Sequence, residues 1–268
     1  MRTRGNIVVI NSGLSAAIID LHIYSENGKQ PLVSINVAAK SLKVISLDSL
    51  ATGDKSLTVQ VVPRSGRINA FMIDELGAGL KALGGDLVNP VNSTAKTLVI
   101  PAIPNQILKR GETPTAAHIL RILAPADVDA NFTLELLSEN GTFVPVGFNS
   151  RNITAGVVTE LVLSPKIVAS SFAVRITSDE PIVAAISSKF ITNGRRDFVW
   201  STPTSALTPM KMAVTGLSPI IVFAADSIAV TIEVALVNGK RSIVTIKGRD
   251  VATWRVPKSA RSITIIEA

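Results

Sequence analysis

Positive charge towards the end of the chain is the sequence feature that points most directly to chemistry. The 268-residue chain has a formal net charge of +7, and its last 60 residues carry eight Lys or Arg against four Asp or Glu. Four of these cations, Lys240, Arg241, Lys247 and Arg249, flank one predicted strand between two turns. Cations grouped on one surface bind anionic polymers by releasing counterions. We therefore predict an anionic-ligand patch here, with a solvated basic face kept for solubility as the equal alternative.

Residues that could carry enzyme chemistry are not grouped in this way. The chain has no Cys, and no Ser stands in the strand-turn-helix setting of a nucleophile elbow. Glu26, Glu139 and Glu180 lie at predicted turns, whereas a glycosidase needs two carboxyl groups roughly 5–10 Å apart across a cleft. The segments Gly77-Ala78-Gly79 and Gly84-Gly85 do not fit a phosphate-binding loop. We predict no catalytic residue and no cofactor, and a hydrolase is only the third choice of function.

The two histidines are the candidate imidazole ligands. His22 aligns with Glu135 and Glu233 of the repeat described below, and Asp20 lies on the same face of its predicted strand. A position that is polar in all three copies is typical of a solvent face, so His22 and Glu135 are predicted to point outward. His118 opens another strand, without a second ligand at metal-binding spacing. We therefore predict no metal site.

Aromatic residues make up only 4% of the chain, and Trp200, Trp254 and Tyr24 are its sole Trp and Tyr residues. Surfaces that bind sugars or single-stranded nucleic acids usually rely on aromatic platforms. Nucleic acid is therefore disfavoured as a partner. Trp254 lies in an alternating strand and is predicted to be a core residue, whereas Trp200 is predicted to plug a contact between domains.

The elements that must position these residues are indicated by a pattern that occurs three times. An alternating apolar run ends in Asn27-Gly28, in Asn140-Gly141 and in Asn238-Gly239, at spacings of 113 and 98 residues. Asn-Gly after period-2 alternation predicts a β-hairpin with a type I′ turn. The spacing is too long for a solenoid and suits β-sandwich domains of roughly 100 residues. The predicted fold class is all-β, with tandem immunoglobulin-like or fibronectin-like sandwich units.

The repeat divides the chain into three units and two connectors. The predicted boundaries are 1–76 for the first unit, 77–94 for a Gly-rich connector, 95–192 for the second unit, 193–209 for another connector and 210–268 for the third unit. The first strand of the first unit and the last strand of the third are predicted to be missing. Gly and Pro at this density mark linkers, and residues 74–83 are predicted to hold one or two helical turns at most.

The second unit is the most complete copy. Its predicted core residues are Leu134, Leu136, Val174, Ile176 and Ile182, which alternate with polar residues along predicted strands. Residues 172–177 and 182–187 are predicted to form its closing pair of strands, hinged at residues 178–181.

Several stretches of the chain resemble a known family. They are Lys96-Thr97-Leu98-Val99-Ile100-Pro101, Leu120-Arg121-Ile122-Leu123-Ala124-Pro125, residues 174–185, Gly85-Asp86-Leu87-Val88 and Asp197-Phe198-Val199-Trp200. They are similar to an actinobacterial family of uncharacterised large secreted proteins, a domain of unknown function with tandem β-sandwich repeats. The resemblance runs from about residue 5 to residue 268. It implies export and a cell-envelope address, behind an N-terminal signal or membrane anchor, and it transfers no catalytic residues.

These observations lead to a ranked set of functions. The first is a non-catalytic scaffold or adhesion-type β-sandwich array, secreted or in the cell envelope, with other envelope proteins or an anionic polymer as partners. The second is a binding module for an anionic polymer (a wall polymer, an anionic lipid surface or nucleic acid) that uses the basic third unit. The cytoplasm is the alternative location. No apolar stretch approaches the 18 residues of a membrane-spanning helix, so no transmembrane segment is predicted in this chain.

Overall fold

The computed structural model describes residues 2–78, 81–106, 117–192 and 195–268, and these residues form mostly β-strands. The helical content of the described residues is one 3-10 turn, Leu47–Ser49. Abundant β-branched residues in period-2 patterns explain this preference, and the predicted all-β class is confirmed. Three separate apolar cores correspond to three units. In the described part of the chain, no helix has the length and apolar character needed to cross a membrane.

The first unit packs two sheets face to face. Its strands are β1 (Arg2–Asn11), β2 (Ala17–Ser25), β3 (Gly28–Lys29), β4 (Val33–Val37), β5 (Ser41–Ser46), β6 (Leu57–Ser65), β7 (Asn69–Ala78) and β8 (Lys81–Val88). One sheet has the order β5-β1-β7-β8, and in the other β2 lies between β6 on one side and β3 and β4 on the other. Val9 of the first sheet and Ile19 and Leu21 of the second are fully buried between them. Alternating residues of both sheets thus form one core.

The predicted helical turns at residues 74–83 are wrong. Residues 74–78 and 81–83 belong to β7 and β8, which pair with each other in antiparallel register, and residues 79–80 lie outside the described residues. The predicted connector 77–94 therefore contains a strand. Its glycines do not exclude a strand, because a residue without Cβ suits a strand that another backbone approaches closely.

The second unit is built around one long bent strand. Its strands are β9 (Ala95–Pro104), β10 (Ala117–Leu123), β11 (Ala130–Ser138), β12 (Gly141–Phe143), β13 (Arg151–Ile153), β14 (Thr159–Leu163), β15 (Ser171–Thr192) and β16 (Arg195–Ser201). The first half of β15 pairs with β9 and β11, and its second half pairs with β10 and β16. β16 lies in the predicted connector 193–209, of which residues 193–194 are outside the described residues.

The predicted closing pair of strands in this unit is wrong. Residues 172–177 and 182–187 are consecutive parts of β15 and do not pair with each other. The ladder with β9 shifts between Thr177 and Ile182, where Pro181 cannot donate a ladder hydrogen bond. The strand therefore bends at this point and passes from one sheet to the other.

The predicted core of the second unit is confirmed. Leu134, Leu136, Val174, Ile176 and Ile182 are all buried in one cluster that includes residues from both halves of β15.

The third unit consists of a single bent sheet with two long strands. Its strands are β17 (Met210–Ala213), β18 (Ile220–Leu236), β19 (Arg241–Arg255) and β20 (Ala260–Glu267), in the order β17-β20-β18-β19. A register shift between Ala225 and Ile228 bends the β18–β19 ladder. Phe223 before the bend and Ile232 after it therefore share one core. Trp254 packs against this core and is half-buried.

The three Asn-Gly hairpins occur where they were predicted, but the turn type differs. Gly28, Gly141 and Gly239 have φ of 102°, 120° and 83°, while the Asn residues before them do not have positive φ. This pattern fits a type I turn followed by a glycine in a bulge, not a type I′ turn. In the first two copies the hydroxyl of Ser25 or Ser138 accepts the N–H of the Asn two residues later, at 3.1 and 3.3 Å. These hydroxyl groups stabilise the turn.

The same strand pairing recurs in the three units. In the first unit β1 pairs with β5, in the second unit β10 pairs with β14, and in the third unit the first half of β18 pairs with the second half of β19. The strand before each Asn-Gly turn pairs on one side with the strand that follows the turn. On its other side, β2 pairs with β6, β11 with the first half of β15, and the second half of β18 with β20. The strands that lead into the three hairpins, and the strands paired beside them, are therefore equivalent in the three units.

Candidate functional site

The predicted anionic-ligand residues lie along β19 at the edge of the third sheet. Arg241, Lys247 and Arg249 occupy odd-numbered positions of this strand, and all three side chains are exposed. Because side chains alternate between the faces of a strand, they point to the same side. Lys240 lies in the preceding turn, and Arg241 donates to Glu233 Oε1 at 3.1 Å. The structure brings the four cations to one edge, and their binding role stays a prediction.

A buried apolar contact joins the first unit to the second; we call it the first joint. Tyr24 on the outer face of β2 packs against Leu123, Val158 and the partly buried Val183 of the second unit. The N–H of Val158 donates to the carbonyl oxygen of Ser25 at 2.9 Å. The two units are therefore joined by both apolar burial and a backbone hydrogen bond.

A second apolar contact, the second joint, joins the second unit to the third. Leu137 and Ala173 on the outer face of the second unit pack against Val251, with Val222 and Ala224 partly buried beside it. Tyr24 and Leu137 each stand three residues before the Asn of their hairpin. Equivalent positions thus form both joints.

Polar contacts at the second joint lie nearer to solvent. The hydroxyl of Thr253 donates to Glu139 Oε1 at 2.8 Å. Arg175 of the second unit bridges Glu135 at 3.3 Å and Asp226 of the third unit at 2.5 Å. Glu135 was predicted to point outward; its side chain is half-buried and forms an ion pair with Arg175.

A charged cleft of about 200 Å³ lies beside the first joint. Its lining includes Asp74, Arg121, Glu160, Lys189 and Trp200. Arg121 donates to Glu160 Oε1 at 2.6 Å, and its guanidinium carbon lies 4.9 Å from the centroid of the Trp200 ring. Arg121 Nη1 also donates to the carbonyl oxygen of Leu57 in the first unit at 3.1 Å. One arginine therefore connects the two units.

Trp200 lies between the two units, as predicted for a residue that plugs a domain contact. Its indole Nε1 donates to Asp74 Oδ2 at 2.9 Å, and its backbone N–H donates to Asp86 Oδ2 at 2.6 Å. The neighbouring Gly84 leaves room for Asp197, because a Cβ at position 84 would come within 2.5 Å of Asp197 Oδ1. The glycine that suggested a linker is needed for close contact between β8 and β16.

The two carboxyl groups of this cleft have opposite electrostatic environments. Burial raises the pKa of Asp74, against the smaller lowering effects of the Trp200 hydrogen bond and the Arg121 charge. Burial also acts to raise the pKa of Glu160, but hydrogen bonds from Ser56 and Arg121 and the charge of Arg121 together lower it. A pair of carboxyl groups with separated pKa values is typical of acid–base catalysis. Two hydrogen bonds of this cleft, from Trp200 to Asp74 and from Arg121 to the Leu57 carbonyl, cross from the second unit to the first, so the cleft contributes to the joint between units.

Asp20 was predicted to face solvent, and that prediction is wrong. Its side chain is buried, accepts a hydrogen bond from Ser34 Oγ at 2.5 Å and forms an ion pair with Arg64. The Ser34 hydrogen bond and then the Arg64 charge lower the pKa of Asp20 against the opposing effect of burial. His22 on the same strand is half-buried, so it is not a fully exposed residue either.

His118 is a core residue. Its Nδ1 lies 2.9 Å from Ser188 Oγ, and its ring meets the edges of Phe172 and Phe190 at centroid distances of 5.4 and 6.4 Å. Burial lowers the pKa of His118, which favours the neutral imidazole. Within the described ranges, no group of three His, Cys, Asp or Glu residues could hold a metal ion.

Sequence reasoning indicated a domain contact at Trp200, but it missed the charged cleft as a whole and the apolar residues of both joints. The cleft brings together residues from β7, β10, β14 and β16, whose proximity depends on the packing of two units. The sequence does contain an indication of the joints. Tyr24 and Leu137 each stand three residues before the hairpin Asn, on a strand face that is expected to be polar. An apolar residue at the same outward position in two copies indicates a repeated contact.

The comparisons with known proteins identify a family. A search of the curated proteins finds no significant match. One solved structure, titled "Crystal Structure of Thermotoga maritima 1070", matches this chain at 18% sequence identity with a TM-score of 0.33. The match covers 42% of this chain and 96% of the chain in that structure. This likeness is too small to support any inference about fold or function. The model of a family of unknown function, DUF5719, matches residues 2–252, which cover the first two units and most of the third; the chain belongs to this family.

Proposed function

We propose that this chain is a non-catalytic β-sandwich scaffold or adhesion-type array that acts outside the cytoplasm, as a secreted or cell-envelope protein. The observation that carries the proposal is the repeated joint. Equivalent outer positions, Tyr24 and Leu137, are buried against the next unit in both contacts. Repeat arrays in which each unit contacts only its neighbours are used to present extended surfaces.

Two further observations support this function over an enzyme. In the charged cleft, Trp200 and Arg121 of the second unit donate hydrogen bonds to Asp74 and to the Leu57 carbonyl of the first, which supports a role of these residues in joining the units. The buried histidine His118 is held between two phenylalanine rings and Ser188. Resemblance to a family of large secreted proteins of actinobacteria supports the proposed location.

Fractionation of cells that express the native gene tests this proposal. An epitope-tagged protein is expected in the envelope or culture-medium fraction, with a cytoplasmic enzyme of the same cells as the fractionation marker. Protein found only with the cytoplasmic marker would contradict the proposal. Release of a chromogenic product from a panel of glycoside and ester substrates would contradict its non-catalytic part.

A second function, binding of an anionic polymer, is supported by the edge strand β19. Arg241, Lys247 and Arg249 are exposed on one side of it, with Lys240 in the adjoining turn. Each phosphate or similar anion neutralised by such a cation releases a counterion, so binding would weaken steeply with salt.

Elution from an anionic matrix in a salt gradient tests this second function. Replacement of Lys240, Arg241, Lys247 and Arg249 by Gln is expected to remove most of the retention. The matched control replaces four exposed cations elsewhere, Lys40, Arg67, Lys96 and Lys166, and should leave more retention. Equal loss in both variants would show that only net charge matters, and the second function would be rejected.

A further inference from the structure

In the part of the chain that the structure describes, nothing covers the face of the third unit that corresponds to the two joints. The position equivalent to Tyr24 and Leu137, three residues before the hairpin Asn, is Ala235 in this unit. Beside it lie Val237 in the turn and Ile243 on the same face of β19, with 63% and 68% of their surface exposed. We call this surface the donor face; it presents apolar side chains next to the Arg241–Glu233 ion pair, at the place where the other two units make a joint.

The first unit has an uncovered face of the complementary kind. Val158 and Val251, which receive the neighbouring unit in the two joints, are 2% and 3% exposed. The strand pairing makes Leu42 their equivalent, because Leu42 pairs with Ile10 as Val251 pairs with Ala224. Leu42 is 56% exposed. We call the surface formed by half-buried Ile10 and exposed Leu42 and Val44 the acceptor face; among the described residues, no neighbouring unit covers it as its two counterparts are covered.

The two uncovered faces also match in chemistry at one defined pair of positions. In the second joint, Glu139 immediately before the hairpin Asn meets Thr253 through a hydrogen bond. The equivalent of Glu139 in the third unit is Val237, and the equivalent of Thr253 in the first unit is Val44, which is 57% exposed. A polar pair inside the array is replaced by an apolar pair on the two free faces. Apolar side chains on both faces favour burial against each other.

We propose that the donor face of the third unit binds the acceptor face of the first unit in a second copy of this chain. The contact would repeat the geometry of the two internal joints, with Val237 against Val44 and Ala235 near Leu42. It is a heterologous, head-to-tail contact, so successive copies form a ring or a filament. This inference rests on the proposed scaffold function and specifies its partner.

Mass measurement by light scattering after size exclusion, over a wide concentration series, tests the contact. The wild-type chain is expected to exceed its monomer mass of 28.2 kDa as concentration rises. Leu42→Asp destroys the acceptor face and Ile243→Asp the donor face, so each variant alone should stay monomeric. A 1:1 mixture of the two should form a species of two chains and no larger one, because it contains one intact donor and one intact acceptor. Val168→Asp, at a site 78% exposed in the second unit, should associate like the wild type.

Several results would overturn the proposal. A wild-type chain that remains monomeric at every concentration has no such contact. Association of Leu42→Asp alone would indicate a contact between like faces, and failure of the mixture to associate would exclude the donor–acceptor pairing. Association that disappears in high salt would be electrostatic and not this apolar contact. Circular dichroism of each variant establishes that it is folded. A monomer still found in the envelope fraction would reject this contact and leave the proposed function intact.

Discussion

The two joints use equivalent positions of the repeat but differ in what surrounds them. The first buries the aromatic ring of Tyr24 and is flanked by the charged cleft, where Arg121, Trp200 and Asp74 make hydrogen bonds across the units. The second buries the aliphatic Leu137, and its polar contacts include the largely exposed Asp226. One docking geometry can therefore be accompanied by a half-buried polar network or by polar contacts that lie nearer to solvent.

The largest expected effect comes from truncating the central residue of each joint. Tyr24→Ala is expected to lower the free energy of unfolding by about 3–5 kcal/mol, as for other large buried aromatic residues, and Leu137→Ala by about 2–5 kcal/mol. Urea denaturation followed by circular dichroism measures both. The exposed Leu14→Ala, 84% exposed, is the control and should change stability by less than about 0.5 kcal/mol. If Tyr24→Ala or Leu137→Ala lowers the unfolding free energy by no more than Leu14→Ala does, the corresponding joint is not packed.

The polar network of the first joint should give the next largest effect. Trp200→Phe keeps an aromatic ring but removes the indole N–H that donates to Asp74, which leaves a half-buried carboxyl without this partner. The expected loss is about 1–3 kcal/mol of unfolding free energy. The control is Trp254→Phe in the third unit, which removes an indole that donates no hydrogen bond to Asp74. It should lower the unfolding free energy by less than Trp200→Phe does. An equal loss in both variants would show that the Asp74 hydrogen bond contributes nothing.

These predictions depend on contacts that the sequence indicates to different degrees. Hairpins at Asn27, Asn140 and Asn238 were predictable because a turn and its flanking alternation are local. The continuity of β15 was not, since Asp179 and Pro181 are typical of a loop and only pairing with strands on both sides of the bend keeps the strand continuous. The burial of Asp20 was equally hidden, because its partner Arg64 lies 44 residues away.

The dependence of stability on pH should differ in sign between the two carboxyl groups of the charged cleft. The pKa of Asp74 is raised by burial from its usual 3.8, so its contribution to stability falls as pH rises from 3.8 through the folded-state pKa. The pKa of Glu160 is lowered from its usual 4.5, so its contribution is present above 4.5 and is lost as pH falls through the folded-state pKa.

Neutral amides separate these two contributions. Relative to the wild type, Asp74→Asn should become more stable as pH rises from acid to neutral, whereas Glu160→Gln should become less stable. Thermal unfolding across this pH range measures both differences. Parallel trends in the two variants would contradict the assigned environments.

The smallest effect is expected at the exposed ion pair of the second joint. Asp226 is 82% exposed in its contact with Arg175, and exposed pairs contribute about 0.2–1 kcal/mol. Asp226→Ala should therefore lower the unfolding free energy by no more than this, and added salt should reduce the difference from wild type. A loss as large as that of Leu137→Ala would mean that this joint is held by charge and not by apolar packing.

Amide hydrogen exchange at Val158 tests most directly whether the units are joined. Its N–H donates to the Ser25 carbonyl across the first joint at 2.9 Å, so it should exchange slowly in the wild type, as core amides such as that of Leu134 do. Tyr24→Asp should abolish the protection of Val158 and leave that of Leu134 intact. Exchange of Val158 in the wild type as fast as in exposed loops would contradict the joined array, because the two units would then be separate domains on a linker.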